Sequence, residues 1–475
     1  MRISALITKQ LAKVNLRYLP FADAASADLP LNRLARLSLF QISVGMATVL
    51  LIGTLNRVMI VELGMSAWVV SLMVSLPFLF APARALIGFK SDTHRSAFGW
   101  RRVPYIWLGT MLQFGGLSIM PFALLVMSGD GVGAPIYGEI GAALAFLLVG
   151  TGLHTTQTAG LALATDLAQP GSRPRVVALM YVMLMAGMIA SGISFGILLA
   201  DFSPMRLIQV VQGAAVVTVA VNVVALWKQE ARGSVRRAAP SAASFAVAWR
   251  AFVDNPKAMR FLVTVGIGTF AFNMQDIVLE PYGGQILHLT VGETTMLTAL
   301  LAGGALAAFA LASRVLLGGF DPHRLAACGV VAGLFAFAAV IFAGAIHSAT
   351  LFRVGTLCIG FGAGLFAVST LIAAMELEAG RMNGLALGAW GAVQAGTAGL
   401  GIVLGGALRD IVAALGTRGV LGPVFTDPAV PYSVVYHVEI AALFATLIAL
   451  GPLVRRDAPA RAETKGFGLA EFPQQ

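Results

Sequence analysis

Charge is scarce in this chain. Asp, Glu, Lys and Arg together make up 11% of its 475 residues, against roughly 25% in soluble globular domains. That shortage excludes an ordinary soluble fold, because too few polar side chains remain to cover so long a globule. Cysteine is almost missing as well. Cys328 and Cys358 stand singly inside apolar runs and no CxxC occurs, which excludes a disulfide framework and leaves both as small core residues. There is no Walker loop, no glycine fingerprint behind a strand, no HExxH and no nucleophile elbow, so an ATPase-driven pump is excluded and no enzyme is expected. The first 36 residues mix charge with short apolar pieces and hold no signal-peptide core.

What is present is length and apolarity. Hydrophobic residues make up 58% of the chain and its mean hydropathy is +0.84. Charges punctuate apolar runs of about 20 to 26 residues, long enough to cross a hydrocarbon core about 30 Å thick. The short alternating segments of a barrel do not occur, so the spans must be helical. Twelve runs fall near 37–62, 66–89, 103–128, 138–165, 175–200, 205–228, 259–282, 294–317, 325–346, 351–376, 384–412 and 433–454. The expectation is an all-α polytopic membrane protein with a terminal arm over 1–36, a six-helix half over 37–229, a central loop over 230–257, a second half over 258–455 and a tail over 456–475.

An even number of spans puts both termini on one side. The arm, the central loop, the tail and the loops between spans two and three and four and five carry most of the Lys and Arg, while the opposite loops hold little beyond Arg206, Arg353, Arg409 and Arg418. The positive-inside rule then makes both termini cytoplasmic. The net charge of +10 is spread through loops rather than gathered in one patch, so it reports topology and not nucleic acid. In the central loop Phe245, Trp249 and Phe252 recur at helical spacing, as in either a short interfacial helix or a linker with an aromatic anchor.

The two halves repeat. Arg84, Gly88 and Asp92 at the end of span two match Arg314, Gly318 and Asp321 at the end of span eight, with one residue deleted. Asp166 and Arg173 match Glu376 and Arg381. Asn56-Arg57 in span one falls where Gln275-Asp276 falls in span seven. Parallel six-helix repeats define the major facilitator architecture. The loop GFKSDTHRSAFGWRR resembles the helix two to three signature of that superfamily, with Gly88, Asp92, Arg95, Gly99, Arg101 and Arg102 in its places and a residue or two of extra length. Asp92 there can accept hydrogen bonds from a helix N-terminus or an arginine. The bland alternative is a solvated charged turn.

Charges inside spans are costly and are usually paired. At 1.5 Å per residue from Arg260, Asp276 lies about 24 Å and Glu280 about 30 Å along span seven. Arg57 lies at a comparable depth in span one. The repeat therefore predicts that Arg57 pairs with Asp276, Glu280 or both across the two halves and holds the outer side closed. A proton-coupling carboxylate and a docking surface for a partner helix are the alternatives. His154 in mid-span four could ligate a metal, including the magnesium of a chlorin ring, relay protons, or sit hydrogen-bonded in the bundle. In span eleven Gly384/Gly388 and Gly401/Gly405 form GxxxG pairs that favour close helix packing, although a flat glycine face also suits a planar pigment.

The segments TLNRVMIVELG, GWRRVPYIWLGTMLQFGG and MQDIVLEPYGGQ resemble the PucC/LhaA family, the bacteriochlorophyll-delivery branch of the superfamily in purple phototrophic bacteria. The resemblance runs over roughly 30–455. It implies an assembly factor of the light-harvesting antenna complexes in the bacterial inner or intracytoplasmic photosynthetic membrane, one that chaperones antenna polypeptides or hands them bacteriochlorophyll. The reaction-centre complex and pigment-synthesis enzymes are implied as further partners. It implies no set of site residues. A proton-coupled secondary transporter and a pigment or lipid flippase remain the competing readings.

Overall fold

The computed structural model describes residues 29–79, 100–129, 134–169, 172–230, 254–376, 383–420 and 422–454. Their order is α1 (Leu31–Glu62), α2 (Ala67–Leu79), α3 (Val103–Met127), α4 (Pro135–Leu167), α5 (Arg173–Leu198), α6 (Pro204–Leu226), α7 (Pro256–Gln285), α8 (Val291–Leu317), α9 (Pro322–Ala345), α10 (Ala349–Glu376), α11 (Asn383–Thr417) and α12 (Val430–Leu450). Eleven of these are long and apolar enough to cross a membrane, and α2 is the described part of the predicted second run. All twelve predicted runs therefore appear in order.

The helices start where the sequence supplies caps. Ser203, Asn255 and Asp321 each accept a hydrogen bond from a backbone N–H in the first turn of α6, α7 and α9. Thr290 and Glu293 form a capping box on α8. Much of the outer wall is apolar, with Phe335, Phe342 and Ile448 all well exposed, as expected of a surface that meets lipid.

The packing follows a pseudo-two-fold. Helix α3 lies along α4 as α9 lies along α10, and α1 lies along α5 and α6 as α7 lies along α11 and α12. The halves meet through α5 against α8 and through its counterpart, α2 against α11. Small residues make this approach close. A Cβ on Gly192 of α5 would come within 2.9 Å of the Ala299 methyl of α8. By an even helix count the two described chain ends share one face, called here the terminal face. The opposite one is the far face.

Two helices are irregular, and they occupy equivalent positions in the two halves. α1 winds through π-helical turns at Val49–Thr54 and Val58–Glu62. α7 breaks at Asn273 into a 3-10 turn over Met274–Ile277 before resuming at Leu279. Pro281 supplies the reason for the second interruption. It has no N–H to give to the Ile277 carbonyl four residues back.

Candidate functional site

The two irregular stretches face each other. Asn56 of α1 donates its side-chain N–H to the carbonyls of Asp276 at 2.9 Å and Ile277 at 3.2 Å. It thereby occupies the carbonyl that Pro281 cannot reach. The repeat predicted that Asn56-Arg57 and Gln275-Asp276 are equivalent stations, and in the fold these stations touch. Close by, the hydroxyls of Thr54 and Thr295 lie 3.2 Å apart across the half-to-half boundary.

Towards the membrane centre from this contact is a cavity of about 220 Å³ enclosed by α1, α5, α7, α8 and α10. Its polar lining comprises Thr48, Asn273, Gln275, Asp276, Glu280 and Thr298. Glu280 accepts a hydrogen bond of 2.7 Å from the Thr298 hydroxyl. Its carboxylate rests on Gly53 of α1, where any Cβ would overlap it. Asp276 accepts from the Gln275 side chain.

Arg57 is 4% exposed and does not form the predicted ion pair with Asp276 or Glu280. It pairs with Glu62 of its own helix and donates to the Leu289 carbonyl at 3.2 Å. The reason is the π-helical winding. Five residues make roughly one π turn, so Glu62 shares the face of Arg57 and reaches it within α1. The expected bridge between halves is made instead by the Arg57–Leu289 bond, by Asn56, and by the guanidinium lying over Gly284, where a Cβ would come within 3.0 Å of Nη2.

A second cluster closes the far face on the other side of the pseudo-axis. Arg409 of α11 donates to Asp410 at 2.8 Å, to Gln285 at 3.0 Å and to Tyr432 at 3.2 Å. Asp410 also accepts from the backbone N–H of Trp68 at the start of α2, at 2.9 Å, which ties the halves together again. The sequence reading left this cluster out because Arg409 looked like a loop charge. The signal was an arginine inside the helical run of span eleven.

On the terminal face Asp166 receives Arg101 at 3.3 Å and Arg102 at 3.2 Å. Glu230 accepts from the backbone N–H groups of Arg101, Arg102 and Val103 at 2.8, 3.1 and 3.0 Å. It thus serves as the acid at the N-terminus of α3. Glu230, an acid in an otherwise basic stretch, makes at α3 the kind of helix-end contact expected of Asp92, which itself lies outside the described residues. Gly88, Asp92, Arg95, Gly99 and Arg381 lie outside the described residues. Of the second-half counterparts, Arg314 is in the last turn of α8, Gly318 caps its end, Asp321 caps α9, and Glu376 is the final residue of α10.

His154 is half-buried in α4 and sits edge-on to Phe78 of α2, ring centroids 6.3 Å apart. Of the span-eleven glycines, Gly401 and Gly405 pack on the Phe270 and Met274 carbonyls of α7, whereas Gly388 faces open space. Among the described residues no group of three His, Cys, Asp or Glu side chains could hold a metal ion. One buried acid escaped the sequence reading altogether: Glu439, in the middle of α12 and 0% exposed.

Twelve helices in two six-helix halves, joined at α5/α8 and α2/α11 around an intramembrane cavity, constitute the major facilitator fold. A solved variant of the nucleoside transporter NupG superposes with a TM-score of 0.65 at 14% identity, over 89% of this chain and 99% of that one. Within that fold the chain belongs to the PUCC protein family, which it matches over residues 54–458. It is 57% identical to Protein PucC of Rhodovulum sulfidophilum over 86% of this chain and 92% of that protein. It is 51% identical to an uncharacterized protein in the puhA-bchM intergenic region of Rhodobacter capsulatus, over 98% of this chain and 99% of that protein.

Proposed function

We propose that this protein is an assembly factor for bacterial light-harvesting antenna complexes, binding antenna polypeptides and delivering or positioning bacteriochlorophyll. The observation that carries this reading is the family match over nearly all of the helical region. The cavity geometry supports it. At about 220 Å³ the central cavity is smaller than the roughly 300–1,000 Å³ that encloses drug-sized ligands. A bacteriochlorophyll with its ring and tail does not fit there. A groove of about 650 Å³ is present between α1, α5 and α6, lined by Met46, Ser191, Ser194, Phe195, Arg206 and Gln209. In this reading pigment and client helices engage such lipid-facing surfaces, and His154 is the candidate magnesium ligand. The protein works in the bacterial inner or photosynthetic membrane with both termini cytoplasmic. Reaction-centre complex and pigment-synthesis enzymes are its further partners, and it has no catalytic chemistry of its own.

The second reading, a proton-coupled transporter or flippase, is favoured by the fold, since the similar solved structures include transporters. One preparation separates the two. The protein is purified from a phototrophic host in mild detergent, its absorption spectrum is recorded, and co-purifying polypeptides are identified by mass spectrometry. Stoichiometric bacteriochlorophyll together with antenna subunits is the expected result, and His154→Ala then lowers the bound pigment. A colourless, partner-free protein from membranes whose antenna complexes survive intact transfers the lead to transport.

A further inference from the structure

Glu439 lies near the middle of α12 and is completely buried; neither carboxyl oxygen has a hydrogen bond of normal geometry, although the backbone N–H of Gln275, on the 3-10 turn of α7, acts on it. Among the described residues no basic side chain pairs with it. The charged group that acts on it electrostatically is Asp276, on the 3-10 turn of α7 against which α12 packs. The surroundings offer no counter-ion. From α9, Gly333 and Phe337 face this level of α12 through Leu443 and Tyr436. From α11 come Arg409 and Asp410, but Arg409 is engaged with Gln285 and Tyr432, and Tyr432 is about 10 Å along the axis from Glu439 at 1.5 Å per residue. On α7, Glu280 is turned away to Thr298, and the Tyr282 ring packs tilted against Tyr432 and edge-on against Tyr436. On α12 itself Tyr436 is buried beside Glu439, and its hydroxyl also lacks a partner. His437 is exposed and bonded to the Ser433 carbonyl.

A carboxylate enclosed by aromatic and aliphatic side chains without a cation is strongly disfavoured, and two such groups acting on each other disfavour double ionisation further. Glu439 is sealed from the cavity, whereas Asp276 lines it. We propose that Glu439 and Asp276 together form an intramembrane proton-binding site, with Asp276 exchanging protons with the cavity and Glu439 holding one in the interior. The exchange is minimal: a carboxylate takes up one proton from cavity water to become a neutral acid, and no other bond changes. The site joins the second half's own core (α12) to the helix break that touches α1. A change of protonation there therefore bears directly on the junction between halves. It stands independently of the antenna reading, because it needs neither pigment nor client.

The test is infrared spectroscopy of the full-length protein in lipid vesicles, titrated with pH in deuterated buffer. A protonated-carboxyl C=O band is expected to persist at pH 7, where a free Glu, with a pKa near about 4.3, is ionised. Glu439→Gln removes part of that band, which separates Glu439 from Glu280. Asp276→Asn displaces the titration of what remains by about one pH unit or more, as for strongly interacting sites. A spectrum without a band at pH 7, a band unchanged by Glu439→Gln, or a titration unmoved by Asp276→Asn each overturns the proposal. Glu439→Met is the second variant. A neutral acid tolerates replacement by either side chain, so failure of both variants to fold also counts against it.

Discussion

At the residue scale the central fact is that Arg57 keeps its charge partner within α1. The side chain of Arg57 is 5% exposed and that of Glu62 36%, so the pair is half-sheltered. Removing the arginine costs less than the roughly 3–5 kcal/mol seen when a fully buried pair is broken. Arg57→Gln is expected to lower stability by about 2 kcal/mol. In a double-mutant cycle read by thermal denaturation in detergent, Arg57 with Glu62 should show a coupling of about 1 kcal/mol. Arg57 with Asp276 should show close to none, and the reverse ranking would restore the pairing that the repeat suggested. The repeat identified the right neighbours here, since Asn56 does contact Asp276 and Ile277. It missed the π-helical winding, which no periodicity in TLNRVMIVELG signals.

At the scale of the element, the break in α7 depends on two things that the sequence keeps 225 residues apart, Asn56 and Pro281. Asn56→Leu leaves the Asp276 and Ile277 carbonyls unsatisfied in the interior and should destabilise by about 1–3 kcal/mol. Adding Pro281→Ala restores an N–H for the Ile277 carbonyl, so the double variant should melt above Asn56→Leu alone. A double variant that melts lower would show that the proline, not the lost hydrogen bond, sets the local shape. The glycines of α11 give a second contrast. Gly405→Val places a side chain on the Met274 carbonyl, where even a Cβ would come within 2.7 Å. It should cost about 1–3 kcal/mol by overpacking. Gly388→Ala enters open space and should be neutral or stabilising by up to about 1 kcal/mol, the helix propensity gained. Both positions belong to GxxxG pairs. The spacing could not distinguish them because it does not say which helix lies opposite.

At the scale of the whole molecule, the halves are held together at the far face by Thr54 with Thr295, Arg57 with Leu289, and Trp68 with Asp410. Alternating access requires those contacts to part. Cysteines at Thr54 and Thr295, whose hydroxyls are 3.2 Å apart, should cross-link under oxidation. A cross-linked protein that still supports antenna assembly in cells lacking the wild-type copy is the expected outcome. Loss of assembly on oxidation, recovered by reductant, would mean that the two halves must move for the function and would revive the transport cycle.

The sequence by itself determined the twelve helices, their order, the two-fold repeat and the family. Each of these is written in local patterns: the length of apolar runs, loop charge, and short segments shared with relatives. Only the tertiary structure decided who pairs with whom. Arg57 goes to Glu62 because π turns bring residues five apart onto one face. Glu230 takes the end of α3, and Glu439 is enclosed with the help of α7 and α9, both distant from α12 in sequence. An intramembrane charge announces that something must compensate for its burial. Which group does so, or whether a proton does, depends on distances across the bundle that no single segment encodes.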